Sequence, residues 1–179
     1  MKHRKFTKKQ VIKIIKGAFP ALPIPSTISD TYLIDFEARL LNEFKGKQWM
    51  EIANQQFLNV NRPLSYLTME AQLYYLPAYL VAAIEHGTKS AEWFEEINFL
   101  LTPPEWSARA RCNELVKALT AEQKWVVRLF YENMANQVSL DWYESFKPED
   151  NRIIDGLVKY WRRWDPPPED DSTPVHGSE

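Results

Sequence analysis

Cysteine and glycine are both scarce in this chain of 179 residues. Cys112 is the only cysteine, so no disulfide can form within the chain, and the reducing cytoplasm is the expected compartment. A lone thiol without a neighbouring histidine is typical of a small buried side chain rather than of a nucleophile. The five glycines form none of the motifs G-x-G-x-x-G, G-x-x-x-x-G-K and G-x-S-x-G. This excludes the usual phosphate-binding loops and the hydrolase nucleophile elbow.

Histidine is also rare, and the three histidines lie far apart, at positions 3, 86 and 176. Metal sites need several ligands that converge, yet the H-E-x-x-H, C-x-x-C and E-x-x-H spacings are all absent. His86 is better explained as a cation near the C-terminus of a helix, where it interacts favourably with the helix dipole. The sequence therefore predicts neither a metal site nor a cofactor.

A cluster of carboxylates is the nearest approach to a catalytic pattern. Glu92, Glu95 and Glu96 recur at helical spacing, opposite the apolar residues Trp93 and Ile97. We expect them to form a solvated helix face, because a general acid needs burial or a partner to shift its pKa. The sequence thus contains no predicted catalytic residue, and we expect that the protein is not an enzyme.

Long hydrophobic runs are missing as well. No window approaches the roughly 18 consecutive apolar residues of a membrane-spanning helix. Near the N-terminus, lysines interrupt the apolar residues at positions 11–15, so the pattern of a secretory signal is not present. We therefore expect a cytoplasmic protein that does not insert into membranes.

Apolar residues at helical spacing are abundant, and they predict an all-α fold. Two capping boxes, Thr7-x-x-Gln10 and Thr120-x-x-Gln123, mark the starts of helices. The other predicted helices cover approximately residues 32–44, 49–58, 68–86, 90–100, 109–119 and 148–164. Pro63 is expected to interrupt the helical pattern between the second and third of these. We predict a single compact domain of about seven helices over residues 1–165, in which residues 1–6 form a flexible basic arm.

The last residues, 166–179, differ in composition from the rest. They contain three consecutive prolines and four acidic residues, and they lack an aliphatic pattern. Such a segment has too little apolar surface to bury against a core. We therefore expect a disordered, acidic, proline-rich tail.

The segment at residues 67–87, LTMEAQLYYLPAYLVAAIEHG, is apolar around nearly its whole circumference, which is typical of a buried central helix. Pro77 lies at its centre and is expected to kink the helix, because a mid-helix proline removes a backbone hydrogen bond. Tyr74, Tyr75 and Tyr79 surround the proline. These residues either belong to the core with hydrogen-bonded hydroxyls or line a cleft together with Pro77, and the first interpretation is favoured.

Several short motifs together resemble a family of small uncharacterised bacterial proteins. They are F-x-G-x-x-W at residues 44–49, L-S-Y-L-T at 64–68, Y-L-P-A-Y-L at 75–80 and L-T-x-x-Q at 119–123. The resemblance spans approximately residues 18–131 and leaves both ends of the chain outside it. It implies a shared helical fold, and no activity is known for that family.

Basic residues are concentrated at the N-terminus. Residues 1–16 contain seven lysines and arginines and no acidic residue. Lys5, Lys8, Lys9, Lys13 and Lys16 are therefore candidates for binding nucleic acid, an anionic surface or an acidic partner. The alternative, which is favoured, is a solvated helix face whose lysines aid solubility or pair with acids of the same domain.

A second basic cluster lies near the end of the last predicted helix, where Trp161, Arg162, Arg163 and Trp164 follow one another. Stacking of a nucleobase on these tryptophans is one interpretation. Packing is favoured, because Trp161 lies on the apolar stripe of its helix.

By elimination, the sequence favours a non-catalytic protein–protein interaction module, for which a toxin-neutralising immunity protein is an analogy. The alternative is an electrostatic binder of nucleic acid or of an anionic surface, acting through the basic N-terminal helix. A third hypothesis is an enzyme with a site near the tyrosines, for which a buried carboxylate facing Tyr74 or Tyr79 would be evidence. The sequence determines neither the partner protein nor the oligomeric state.

Overall fold

The computed structural model describes residues 6–20, 22–29, 42–52, 63–86, 96–98, 100–102, 111–141 and 148–164, and no strand occurs among them. The helical elements are α1 (Lys8–Ala18), a 3-10 turn (Trp49–Glu51), α2 (Pro63–Tyr66), α3 (Met69–His86), α4 (Arg111–Ala118), α5 (Ala121–Asp141) and α6 (Pro148–Trp161). The predicted all-α class is thus confirmed for this part of the chain. The predicted tail and most of the predicted arm lie outside the described residues.

Helix α1 begins at the first predicted capping box. The backbone N–H of Thr7 donates to Gln10 Oε1 at 2.9 Å, and the backbone N–H of Gln10 donates to Thr7 Oγ1 at 3.3 Å. These bonds satisfy backbone donors that have no partner within the first turn of a helix. At the other end, the N–H of Phe19 donates to the carbonyl of Ile15 at 3.1 Å, and Pro20 cannot continue the helix.

Helix α3 is the centre of the fold. It contacts α1, the 3-10 turn, α4 and α5. At its start, Thr68 Oγ1 accepts from the backbone N–H of Ala71 at 3.2 Å and donates to the carbonyl of Thr27 at 3.1 Å. One hydroxyl therefore caps the helix and also holds the segment that follows α1.

Pro77 lies inside α3, and the helix continues through it. The proline and most of the residues around it are buried. Burial of these apolar side chains, each contributing roughly 1.5–3 kcal/mol, outweighs the roughly 3 kcal/mol that a mid-helix proline costs. Although α3 is strongly apolar, no helix in the described part of the chain is long and apolar enough to cross a membrane.

Helix α5 packs against both α1 and α6. At its start, Gln123 Oε1 accepts from the backbone N–H of Thr120 at 3.0 Å, as the second capping box predicts, and Gln123 Nε2 donates to the carbonyl of Ala18 at 3.2 Å. Further along α5, Asn133 Nδ2 donates to the carbonyl of Phe6 at 3.4 Å. Helix α1 therefore runs antiparallel to α5, and its C-terminus lies beside the start of α5.

Helix α6 is joined to α5 by an ion pair near its C-terminal end. Glu132 Oε1 lies 3.2 Å from Arg128 Nε, within α5, and 3.3 Å from Arg162 Nε. Trp161 is fully buried, and its ring centroid lies 4.8 Å from that of Trp164. Trp161 thus packs in the core, which is the interpretation that the sequence favoured, whereas Arg162 and Arg163 are exposed.

The prediction that Pro63 interrupts the helical pattern concerns the chain before it, and residues 53–62 lie outside the described residues. Pro63 occupies the first position of the short helix α2. A proline is well accommodated there, because the first N–H groups of a helix have no intrahelical acceptor and the fixed φ suits a helix. Helix α2 is bonded to α3 by Gln72, whose Nε2 donates to the carbonyl of Leu64 at 2.7 Å.

The expectation that Glu96 lies on a solvated face is wrong. Its exposed fraction is 5%. The helical residues 96–98 lie against two helices, since Glu96 interacts electrostatically with Tyr79 of α3 and Asn98 Oδ1 accepts from the hydroxyl of Tyr131 of α5 at 3.1 Å. Neighbouring helices therefore cover a position that helical spacing alone places on the polar side. The other two glutamates of the predicted cluster lie outside the described residues.

Candidate functional site

An open groove lies beside the segment that follows α1. Its volume is about 350 Å3. One side consists of Phe19, Pro20, Leu22, Pro23 and Pro25, and the other of Trp49, Glu70, Leu73, Tyr74, Ala118, Leu119 and Gln123. We call it the proline groove. Its lining is apolar or aromatic except for one carboxylate and one amide, a composition that is typical of binding sites.

The prolines explain why this side of the groove is not helical. Pro20, Pro23 and Pro25 each fix φ near −65° and lack an N–H, and residues 22–25 form no helix. Beyond them, the N–H of Thr68 donates to the carbonyl of Ile28 at 3.0 Å, which ties the far end of the segment to the start of α3. The groove thus lies between two fixed points, the end of α1 and the cap of α3.

Trp49 forms a wall of the groove. It follows Gly46, whose φ of 73° is in the left-handed region that glycine adopts readily. The indole Nε1 donates to the carbonyl of Phe19 at 3.2 Å, and only 2% of the residue is exposed. This bond joins the 3-10 turn to the end of α1 and sets the position of the wall.

A smaller cavity of about 160 Å3 shares Trp49 with the proline groove. The other lining residues are Lys16, Met50, Ile52, Ala78, Val81, Ala82 and Glu85. We call it the lysine cavity. Both cavities have an exposed apolar side chain in their lining, because Leu22 of the groove is 54% exposed and Met50 of the lysine cavity is 51% exposed.

The candidate lysines of α1 are exposed. Lys9, Lys13 and Lys16 are spaced four and three residues apart, so they form one stripe along the helix, and Lys8 lies to one side of it. None of these four lysines is within 4.0 Å of an acidic group in the described part of the chain, where the ion pairs involve other residues. Lys5 lies outside the described residues.

The three candidate tyrosines differ in their surroundings. The hydroxyl of Tyr74 donates to Gln48 Oε1 at 2.9 Å. Tyr75 is fully buried, and its hydroxyl lies 2.7 Å from the carbonyl of Phe44, to which it donates. Tyr79 is fully buried as well, and its ring stacks on that of Phe44 with centroids 6.4 Å apart.

Of the four residues of the predicted cleft, one lines a cavity formed by the described residues. Tyr74 lines the proline groove, whereas Tyr75, Pro77 and Tyr79 line neither this groove nor the lysine cavity. They lie in the core, where Tyr75 and Tyr79 contact the phenylalanine of the F-x-G-x-x-W motif, Phe44. The motifs at residues 44–49 and 75–80 therefore meet in space as packing partners.

Most residues of the proline groove were not among the sequence candidates. The signal that could have pointed to them is the run of three prolines within residues 20–25. The sequence analysis used these prolines only as the end of a helix. An extended proline-rich segment beside an exposed leucine is also a pattern that forms one side of a groove.

The polar groups that line the two cavities are few. Among the described residues, no three histidine, cysteine, aspartate or glutamate side chains are grouped so as to hold a metal ion. The buried carboxylate that faces Tyr79, that of Glu96, lines neither the proline groove nor the lysine cavity. The carboxylates at the cavities are Glu70 and Glu85, both exposed. The proline groove therefore has a mainly apolar lining that contains one carboxylate, that of Glu70.

Comparison with known proteins identifies one family. A family model described as a family of unknown function, DUF6714, matches residues 7–164. The chain belongs to this family. The match extends further in both directions than the region of about residues 18–131 over which the sequence motifs suggested a resemblance. No curated protein and no solved structure matches the chain.

Stability is expected to fall as the pH rises above about 10. Burial raises the pKa of Tyr75 to about 12, and it also raises the pKa of Tyr74 and of Tyr79. In the unfolded chain these hydroxyls lose their protons near pH 10, so the unfolded state binds fewer protons than the folded state above that pH. Tyr75 lowers the free energy of unfolding by at most about 1.4 kcal/mol per pH unit between about pH 10 and pH 12, and Tyr74 and Tyr79 act in the same direction.

Urea unfolding of the wild type and of Tyr75→Phe at several pH values between about 8 and 11 measures this effect. The variant lacks the hydrogen bond of the hydroxyl at every pH. Above about pH 10, its free energy of unfolding should decline less steeply than that of the wild type, and the difference in slope should correspond to about one proton. Equal slopes for the two proteins would show that Tyr75 does not contribute.

Proposed function

We propose that this protein acts by binding another protein, and that the proline groove receives an apolar segment of that partner. The observation that supports the proposal is an open groove of about 350 Å3, whose lining includes Leu22 with 54% of its surface exposed. Apolar depressions with exposed apolar side chains are typical of surfaces through which proteins bind one another. Trp49 and Tyr74 add aromatic walls, and aromatic residues dominate the energetics of many interfaces.

Leu22→Asp is the substitution that tests the groove. Since more than half of the leucine is exposed, the change should leave the unfolding midpoint nearly unaltered. A partner captured from the source cells by the wild-type protein should bind this variant at least about tenfold more weakly, because a carboxylate would have to be buried in the interface.

Met50→Asp is the matched control. Met50 is exposed to nearly the same extent, 51%, but it lines the lysine cavity on the other side of Trp49. The same partner should bind this variant within about twofold of the wild type. Equal loss of binding in both variants, or in neither, would contradict the assignment of binding to the proline groove.

The lysine stripe of α1 supports a second candidate function, electrostatic binding of nucleic acid or of an anionic surface. Lys9, Lys13 and Lys16 share one face, are exposed and have no acidic partner within the described residues. If they bind a single-stranded oligonucleotide, log K should fall with log salt by about 0.7 for each phosphate contact. The double variant K9E/K13E should then lose the binding, whereas Leu22→Asp should retain it. Binding that is independent of salt would exclude this function.

A further inference from the structure

The last described residues of the chain lead towards the proline groove. The side chain of Arg162 reaches Glu132, and two residues later the carbonyl of Trp164 accepts from Arg128 at 3.0 Å. The carbonyl of Arg162 accepts from the same Arg128 nitrogen at 3.4 Å. Because α6 begins seven residues after the end of α5 and ends beside Arg128, the chain runs back along α5 towards the N-terminus of α5. Gln123, which lines the proline groove, lies at that N-terminus.

The point from which the chain continues is held firmly. The ring of Trp164 packs 4.8 Å from that of Trp161 and 5.5 Å from that of Tyr160. The guanidinium of Arg163 lies 5.5 Å above the ring of Trp164. The chain beyond Trp164 therefore continues from a fixed residue beside Arg128. Arg128 lies five positions after Gln123 in α5.

The following sequence is long enough to reach the groove. Five residues of α5 separate Arg128 from Gln123, which corresponds to about 7.5 Å along the helix axis. An extended segment in the polyproline conformation advances about 3.1 Å per residue, so residues 165–168 cover about 12 Å. Residues 166–168 are three consecutive prolines.

The chemistry of the groove suits these prolines. Proline-rich segments bind in aromatic-lined grooves, and they lose little conformational entropy because their conformation is already restricted. The proline groove has three aromatic lining residues, Phe19, Trp49 and Tyr74. Its lining also contains the exposed Glu70, which favours uncharged prolines over the acidic residues that follow them.

Two lysines adjoin lining residues of the groove in the sequence. Residues 169–171 are Glu, Asp and Asp. Lys117 and Lys124 lie next to the lining residues Ala118 and Gln123, and neither lysine is ion-paired within the described residues. Opposite charges placed beside these lining residues would fix the direction of a bound segment.

We propose that the segment of residues 166–171 of this chain binds in its own proline groove, with the prolines in the groove and the acidic residues beside Lys117 and Lys124. The bound segment would then compete with a partner protein for the same surface. The docking itself needs no partner, whereas its role as a competitor rests on the proposed function.

Amide NMR spectra of the full chain, with and without the triple substitution P166S/P167S/P168S, test the proposal. We expect chemical-shift changes at the backbone amides of Leu22, Leu73 and Gln123, and none at Lys9 and Lys13 on the lysine stripe. A chain that ends at Trp164 should show the same changes at the groove. A synthetic peptide of residues 165–179 added to it should reverse them, and the peptide with the three serines should not.

The same spectra contain the outcomes that overturn the proposal. Unchanged groove amides in both variants would show that the segment does not dock there, and shifts confined to the lysine stripe would place it elsewhere. Groove shifts that increase with protein concentration would show that the segment occupies a second copy. The result does not depend on the proposed function, which the capture experiment with Leu22→Asp tests separately.

Discussion

Replacement of Tyr75 by alanine is expected to lower the free energy of unfolding by about 3–5 kcal/mol. The side chain is fully buried, and its ring meets that of Phe44 edge to face with centroids 5.1 Å apart and that of Tyr74 with centroids 4.9 Å apart. Its hydroxyl donates to the carbonyl of Phe44 at 2.7 Å and approaches the carbonyl of Lys47 at 3.2 Å. Truncation therefore leaves a cavity and also removes the donor for these carbonyls.

Tyr75→Phe separates the two contributions. It keeps the ring contacts and removes only the hydroxyl, so it should cost about 1–2 kcal/mol. Urea unfolding near neutral pH gives both values, provided that the dependence on urea concentration is the same for all three proteins. A loss below about 1 kcal/mol for Tyr75→Ala would contradict the placement of this tyrosine in the core.

The tyrosines also show how far the sequence alone predicts the fold. The apolar circumference of residues 67–87 predicts a buried central helix, and buried tyrosines commonly have hydrogen-bonded hydroxyls. Both expectations agree with Tyr75 in the structure. The capping boxes at Thr7 and Thr120 could be predicted as well, because a capping box is formed by residues only three positions apart.

The proline groove could not be predicted in the same way, because its walls come together only in the folded chain. Trp49 donates to Phe19, which is 30 residues away, and Gln123 donates to Ala18, which is 105 residues away. Helical spacing indicates which face of a helix is polar, but it does not indicate what covers that face. For this reason it predicted Glu96 as solvated, although the structure buries it.

Trp161 and Trp49 are buried to nearly the same extent, but substitutions at the two positions are expected to change the free energy of unfolding differently. Trp161→Ala should lower the free energy of unfolding by about 3–5 kcal/mol, since this is the usual cost of deleting a buried aromatic side chain. Trp161 is fully buried, and Trp49 is 2% exposed. The difference between them lies in the indole N–H.

The N–H of Trp49 is hydrogen-bonded to the carbonyl of Phe19 at 3.2 Å, whereas that of Trp161 has no hydrogen-bond partner among the described residues. Trp161→Phe removes a buried donor without a partner, and the relief of that desolvation offsets part of the lost packing. Trp49→Phe instead breaks a bond and leaves the carbonyl of Phe19 without this donor. We expect Trp49→Phe to be the more destabilising by about 1–3 kcal/mol.

Unfolding of the two phenylalanine variants under identical conditions measures this difference, and each variant serves as the volume-matched control for the other. An equal loss in both would show that the bond between Trp49 and Phe19 contributes nothing net. A larger loss for Trp161→Phe would show that its indole N–H has a partner in the folded protein. Because Trp49 is also a wall of the proline groove, its phenylalanine variant should weaken binding in the groove, whereas Trp161→Phe should leave that binding unchanged.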